Sequence, residues 1–265
     1  MAVINRIRAN MTRNETTGGV VKFIEKGELD SDSVVIFSSF FPFNNNAPAE
    51  FFSFLDDNIY KKVFTEFIRP KNGKKEFTFD ALINAYVEYI STLEKKRIHI
   101  VAFGVFSNVF INIANLLKGK INSLTLIEPD FANSILMKIF DSKEVHFFKF
   151  SSLKNQYIQD SKQNYKRYLS KTPLSLMKYY YYSLKEYLPE SMILKQIVDS
   201  DVEILILWKL MEKELWPLPQ ILTDDYEISA FSLSESAIDA LIGKNPDITD
   251  QIRSHIEKNI ILENY

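Results

Sequence analysis

Short apolar runs alternate with helical apolar stripes along most of the chain. Residues 98–103 form a compact apolar run, a single glycine follows at Gly104, and apolar side chains then recur at helical spacing as far as Leu117. This pattern predicts a buried strand, a sharp turn and a helix. In α/β proteins, catalytic or ligand-binding residues are often found where a strand turns directly into a helix at a glycine, so this junction is a candidate site.

The same patterns predict further elements on both sides of the junction. Strands are predicted at residues 20–27, 33–39, 62–67, 121–127, 202–208 and 226–231, and helices at 48–55, 78–95 and 248–261. This alternation indicates an α/β protein with a mainly parallel sheet that helices cover on both faces. Residues 134–199 are rich in Lys, Tyr and Leu at helical spacing, which predicts a helical lid inserted into a core domain of residues 1–133 and 200–265.

Composition narrows the function classes. The chain has 265 residues, 46% of them hydrophobic, which suffices for one α/β domain with a large core. Its 32 Lys and Arg balance 34 Asp and Glu without long blocks of one sign, so neither nucleic acid nor an anionic membrane is indicated as a partner. Because the chain has no cysteine, thiolate nucleophiles, disulfides and sulfur-ligated metals are excluded.

Apolar runs of the length that a signal peptide or a membrane span needs are not found in the sequence. The longest, near residues 98–110, is interrupted by polar residues and a glycine before it reaches roughly eighteen residues. We therefore expect a cytoplasmic protein without a membrane span. The sequence also has no Gly-rich phosphate loop and no His, Asp and Glu cluster with metal-ligand spacing, so we predict no cofactor and no metal.

The order of the elements and several local segments resemble the α/β-hydrolase fold of single-domain esterases and dehalogenases. The matching segments are residues 21–27, 34–40, 77–82, 124–129 and 203–208. The resemblance implies a mostly parallel central sheet of about eight strands, flanked by helices and covered by a lid. It also implies that the junction at Gly104 is the nucleophile elbow, the strained turn that carries the catalytic serine in that fold.

The catalytic side chains of that fold are missing from the positions that the resemblance assigns to them. Gly104 occupies the nucleophile position and has no group that can attack a substrate, and Phe106 stands where the elbow requires a small residue. Glu212 occupies the acid position, although a glutamate of a charged surface loop is an equally good interpretation. Ser107 falls in the first turn of the next helix, where it is predicted to be an ordinary polar residue.

Histidine is also missing from the segment that supplies the base in this fold. That segment corresponds to residues 232–236, which read Ser-Leu-Ser-Glu-Ser. The three histidines lie elsewhere: His99 in the central strand, where a core histidine is expected, His146 before the lid helices, and His255 in the last helix. Without a nucleophile and a base, acyl transfer through a covalent intermediate loses the groups that form its bond and move its proton.

The oxyanion hole consists largely of backbone N–H groups, which outlast side-chain substitution. The resemblance assigns these donors to the residues after the nucleophile position and after the third strand. The predicted ligand-binding residues are therefore Ser38, Ser39, Phe40, Phe103, Gly104 and Val105. Together with the lid tyrosines 179–182 they predict an apolar pocket with hydroxyl groups, suited to an acyl chain or a flat ring. Ordinary turn serines and lid-packing tyrosines are the alternative interpretations.

The sequence therefore predicts a catalytically silent protein that binds an apolar or acyl-type small molecule or a protein partner. The alternative is an enzyme of the hydrolase, transferase or lyase class that uses Glu212, Glu66 or a hydroxyl such as that of Ser39 as acid or base. A structural subunit of a larger assembly is a third hypothesis. The sequence does not determine the oligomeric state.

Overall fold

The structure is a computed structural model that describes most of the predicted core domain. It describes residues 10–15, 19–38, 52–70, 79–93, 96–103, 106–127, 129, 202–209, 229–233 and 245–261. The predicted lid, residues 134–199, lies outside the described residues. The lid and the division into core and lid therefore stay predictions.

The described residues form strands and helices in the alternating order that the sequence predicts. The strands are β1 Asn10–Glu15, β2 Gly19–Gly27, β3 Ser33–Ser38, β4 Tyr60–Pro70, β5 Arg97–Phe103, β6 Ile121–Ile127, β7 Glu203–Lys209 and β8 Ser229–Leu233. The helices are α1 Phe79–Thr92, α2 Phe106–Leu116 and α3 Pro246–Ile261.

These strands make one mixed sheet in the order β1-β2-β4-β3-β5-β6-β7-β8. β1, β2 and β4 pair antiparallel, and every pair from β4 to β8 is parallel. β3 is buried along its whole length, as is nearly all of β6, which is expected of central strands in a sheet covered on both faces. β3 is apolar from Val34 to Phe37, whereas β6 also buries the hydroxyl side chains of Ser123 and Thr125. The predicted class, a mostly parallel sheet flanked by helices, is confirmed.

The two faces of the sheet are covered by different helices. Neighbouring residues of a strand point to opposite faces, and the end of β3 identifies both: Phe37 stacks on Phe52, whereas Ser38 contacts Tyr86 of α1. α2 packs against α1 and lies on the Ser38 face. α3 lies on the Phe37 face, because its Arg253 is hydrogen-bonded to the turn that carries Phe52.

A buried lysine fixes the turn formed by residues 52–57, which we call the 52–57 turn. Lys62 of β4 is 3% exposed. Its ammonium donates to the carbonyl oxygen of Phe52 at 2.9 Å and to that of Leu55, and it forms an ion pair with Asp57 at 2.7 Å. A buried ammonium is tolerated only when such partners replace its lost water, so the turn and the lysine stabilise each other.

Two local expectations are corrected. Residues 52–59 form turns and bends, so the helix predicted over residues 48–55 is wrong in its described part. The physical reason is that Phe52 has a φ of 58°, which no right-handed helix contains. β1 is a strand that the sequence analysis missed. β8 overlaps the predicted strand at residues 226–231 and extends it to Leu233, while residues 226–228 lie outside the described residues.

Candidate functional site

The parallel strands end together at one edge of the sheet, which we call the carboxyl edge. Their register aligns Ser38, Ala102, Leu126, Ile206 and Ala230 across β3, β5, β6, β7 and β8. β3 and β5 are neighbours, but the chain continues from β3 to β4 on one side and from β5 to β6 on the other. A crevice for ligands opens at the carboxyl ends of parallel strands where the connections diverge in this way. The crevice between β3 and β5 is therefore the candidate site.

The junction of β5 and α2 lies at the carboxyl end of β5, beside the candidate site. β5 ends at Phe103 and α2 begins at Phe106, so only two residues, Gly104 and Val105, connect them. The predicted strand and the predicted helix are thus both present, and the sharp turn between them stays a prediction. Neither connecting residue has a side chain that can act as a nucleophile, an acid or a base.

Ser107 is the second residue of α2. It is fully buried, and its hydroxyl has no hydrogen-bond partner among the residues that the structure describes. A nucleophilic serine in this fold has to stand on the turn itself with its hydroxyl exposed at the top of the sheet. The location of Ser107 within the first helical turn agrees with its interpretation as an ordinary helix residue.

Ser38, one of the predicted ligand-binding residues, ends β3 at the candidate site. It is 2% exposed, and its Oγ lies 2.7 Å from the hydroxyl oxygen of Tyr86. Both groups are buried between the sheet and α1, so the Ser38 hydroxyl already has a partner within the fold. Contact between Ser38 and a ligand stays a prediction.

His99 is a core residue of β5. It is fully buried, and its Nδ1 lies 2.8 Å from Oγ of Ser123 on the neighbouring strand. Burial, followed by the fields of His255 and Arg97, lowers the pKa of His99 from 6.5 to about 3, so the imidazole is neutral at pH 7. His99 precedes Phe103 by about 13 Å along the strand, far beyond the roughly 3 Å over which a base takes a proton.

His255 belongs to α3 and packs over the sheet near His99. Burial lowers the pKa of His255, while the neighbouring carboxylate of Glu203, at the start of β7, acts in the opposite direction. Both described histidines therefore lie toward the amino ends of the parallel strands, away from the carboxyl edge. His146 lies outside the described residues.

Several predicted site residues also lie outside the described residues. These are Ser39, Phe40, Gly104, Val105, Glu212 and the lid tyrosines 179–182. Phe103 is placed as the last residue of β5, and Glu66 belongs to β4. The structure thus brings the ends of β3 and β5 together, as predicted, and the roles of these side chains stay predictions.

Metal-binding clusters and membrane-spanning helices are both absent from the part of the chain that the structure describes. No cluster of three or more His, Asp, Glu or Cys side chains that suits a metal ion is found among them. No helix within the described ranges is long and apolar enough to cross a membrane.

Sequence reasoning missed two buried polar contacts: the hydrogen bond between Ser38 and Tyr86 at the site, and the contacts of Lys62 with the 52–57 turn, farther from it. Tyr86 lies on the apolar stripe of α1, which predicts only that it is buried. Lys62 lies in a strand whose other residues are mostly apolar, and that position is the one signal that its ammonium needs a partner.

Comparison with known proteins extends the description of the fold. No family model matches the sequence, and no curated protein matches it. Solved structures do match it. A carboxylesterase of the ammonia-oxidizing thaumarchaeon Nitrososphaera gargenis superposes with a TM-score of 0.69 at 10% identity, over 95% of this chain and 99% of that one.

Two further structures agree with this result. A hydrolase from Pseudomonas aeruginosa gives a TM-score of 0.65 at 10% identity, over 93% of this chain and 98% of that one. The 2-hydroxy-6-oxo-6-phenylhexa-2,4-dienoate hydrolase from Rhodococcus gives 0.63 at 11% identity, over 95% and 99% of the two chains. Identities this low establish the fold alone. The chain has the α/β-hydrolase fold, as its sequence predicted.

Proposed function

We propose that this chain is a non-hydrolytic member of the α/β-hydrolase fold that binds an apolar or acyl-type small molecule in the crevice between β3 and β5. The observation that carries the proposal is the connection between β5 and α2, which consists of Gly104 and Val105. In this fold the nucleophile has to occupy that connection. A glycine and a valine supply no atom that can form an acyl-enzyme bond.

The positions of the histidines support the same proposal. A serine hydroxyl attacks only when an imidazole takes its proton. His99 is held in the interior of β5 by its contact with Ser123, and His255 lies on the opposite half of the sheet from the carboxyl edge. No histidine occurs in residues 232–236, where the fold supplies its base.

The chemistry of the crevice favours an apolar ligand with one polar end. The strand ends that line it carry mainly apolar residues, and first-turn N–H groups of α2 point toward the carboxyl edge because the helix begins there. Such donors suit a carbonyl or carboxylate oxygen without reacting with it. The ligand-binding roles of Ser38, Ser39, Phe40, Phe103, Gly104 and Val105 belong to this proposal, as does a cytoplasmic location.

The structural neighbours favour one alternative, because they are esterases and other hydrolases. Under that alternative the chain is an enzyme that uses Glu212 or a hydroxyl in the same crevice as its acid or base. It differs from the binding proposal in one measurable respect: substrate would be turned over.

The test combines a covalent probe, an ester panel and a fluorescent fatty acid on the full chain. We expect no labelling by a fluorophosphonate, no turnover of short-chain or long-chain p-nitrophenyl esters above background, and saturable binding of dansyl-undecanoic acid. A Gly104→Trp variant should lose that binding, whereas Leu116→Trp, an exposed position on α2, should keep it. Saturable fluorophosphonate labelling would overturn the proposal, and ester turnover that Glu212→Gln abolishes would establish the alternative.

A further inference from the structure

We propose that His99 and His255 form an acid-sensitive latch that holds α3 against the sheet. The latch is separate from the proposed ligand site, because it lies toward the amino ends of the strands. Its expected behaviour is that α3 is docked at neutral pH and released as the solution becomes mildly acidic.

The two histidines come from two elements that pack against each other, His99 from β5 and His255 from α3. His99 pairs in register with Val35, two residues before Phe37, so its side chain points to the face that α3 covers. α3 covers this face with three buried isoleucines, Ile248, Ile252 and Ile256. His255 precedes the last of these on α3, and its charge contributes, after burial, to the lowered pKa of His99.

The polar partners of His99 suit a neutral imidazole, whereas backbone hydrogen bonds with Glu203 and Leu124 favour protonation of His255 without outweighing its burial. His99 Nδ1 contacts Oγ of Ser123, while His99 Nε2 has no hydrogen-bond partner within the described ranges. Oγ1 of Thr125, two residues beyond Ser123 on the same face, is likewise buried without a described partner. A second proton on His99 would therefore place a charge in a site with no described acceptor for it.

The charges around the latch make protonation unfavourable. The positive charge of Arg97 on β5 lowers the pKa of His99, and that of Lys258 on α3 lowers the pKa of His255. Glu203 on β7 favours protonation of His255, but it is shared with Lys258, whose Nζ lies 3.5 Å from its carboxylate. Protonation of the pair would add positive charge beside two existing cations and within a buried space.

The direction of the pH effect follows from the lowered pKa values. Both imidazoles have a pKa below 6.5 in the folded chain, and that of His99 is about 3, so the undocked state binds more protons. Docking is therefore fully stable above pH 6.5 and is weakened as the pH falls below it. If the pKa of His99 is 6.5 in the undocked state and about 3 in the docked state, the equilibrium constant for docking falls about 25-fold between pH 7 and pH 5.

Release of α3 would also reach the 52–57 turn. Arg253 of α3 donates from Nε and Nη2 to the carbonyl oxygen of Phe54, at 3.2 and 3.0 Å. Those hydrogen bonds are lost when α3 leaves the sheet. The 52–57 turn should therefore lose protection together with α3, although it contains neither histidine.

Amide hydrogen exchange of the full chain at pH 7, 6 and 5, corrected for the intrinsic rate at each pH, tests the latch. Protection of α3 and the 52–57 turn should fall about 25-fold or more between pH 7 and pH 5, relative to α1 and α2. Protection of α3 that changes no more than that of α1 and α2 would overturn the proposal.

Variants assign the effect to the two imidazoles. His99→Gln and His255→Gln should each reduce the pH dependence of α3 protection several-fold, and His146→Gln, which changes the remaining histidine, should leave it as in the wild type. Retention of the full pH dependence in both latch variants, or its loss in His146→Gln, would contradict the proposal. If a latch variant fails to fold, exchange at the imidazole C2 position in the wild-type chain reports each histidine pKa directly. A pKa of 6.5 or above for either histidine would overturn the latch.

Discussion

At the scale of single residues, the core of this protein contains several polar side chains, each held by a specific contact. Ser38 contacts Tyr86, His99 contacts Ser123, and Lys62 is satisfied by the 52–57 turn. Buried polar groups cost free energy unless they are hydrogen-bonded, so these contacts fix the elements that they join. The Ser38 contact is the one nearest the candidate site.

Substitution of Tyr86 by Phe tests this contact. The change removes one hydroxyl and leaves Oγ of Ser38 buried without its 2.7 Å partner. We expect the free energy of unfolding to fall by about 1–3 kcal/mol. Urea-induced unfolding at pH 7 measures it.

The control is the pair of variants Ser38→Ala and Ser38→Ala with Tyr86→Phe. Because the double variant removes both partners, its cost should be smaller than the sum of the two single costs. Additive costs would show that the two hydroxyls do not stabilise each other.

At the scale of elements, α2 is a core helix rather than an amphipathic surface helix. Its buried residues lie on most of its circumference: Phe106, Ser107, Val109, Phe110, Ile111, Ile113 and Ala114. A helix that is apolar on nearly all sides has to be enclosed by other elements. α2 is therefore part of the core beside the end of β5.

Two variants on α2 test its enclosure. Phe110 is fully buried, with its ring centroid 4.7 Å from that of Tyr86, whereas Leu116 is 63% exposed. Phe110→Ala should lower the free energy of unfolding by about 3–5 kcal/mol, and Leu116→Ala should change it by less than about 0.5 kcal/mol. Chemical denaturation of both variants gives the comparison. Similar costs for the two would mean that α2 is not enclosed as described.

At the scale of the whole molecule, hydrolysis in this fold depends on side chains that separate elements bring to the carboxyl edge. This chain has kept the edge: the parallel strands end in register, and their connections diverge between β3 and β5. The described histidines lie at the other end of those strands, His99 within β5 and His255 on α3. A chain can therefore have this fold without the side chains that catalyse hydrolysis in it.

Restoring the nucleophile by Gly104→Ser therefore should not restore hydrolysis. Neither described histidine, His99 or His255, lies at the carboxyl edge to take the proton of the new hydroxyl, and general-base catalysis alone contributes about 10²–10⁴-fold. We expect p-nitrophenyl ester turnover equal to that of the wild type, with far-UV circular dichroism confirming that the variant is folded. Saturable turnover about 100-fold above the wild type would mean that a base stands beside residue 104.

The sequence alone determined the fold class and most of the elements. β3 is a short apolar run, β6 carries apolar residues at most of its positions, and helices such as α1 and α2 carry apolar residues at helical spacing, so their local patterns suffice. The sequence also predicted that a helix closely follows β5, although it predicted a connection at Gly104 alone, and the two elements are separated by residues 104 and 105.

Contacts between distant parts of the chain decided the features that local sequence patterns do not predict. β1, with the sequence Asn-Met-Thr-Arg-Asn-Glu, has no apolar alternation, and it is a strand because β2 offers it a partner. Phe52 has a positive φ within a turn whose carbonyl oxygens accept hydrogen bonds from Lys62 of β4, so the helix predicted there does not form. The partners of Ser38 and His99 come from residues distant in sequence. Periodicity reports which side chains are buried, whereas the packing of separate elements decides what each buried group contacts.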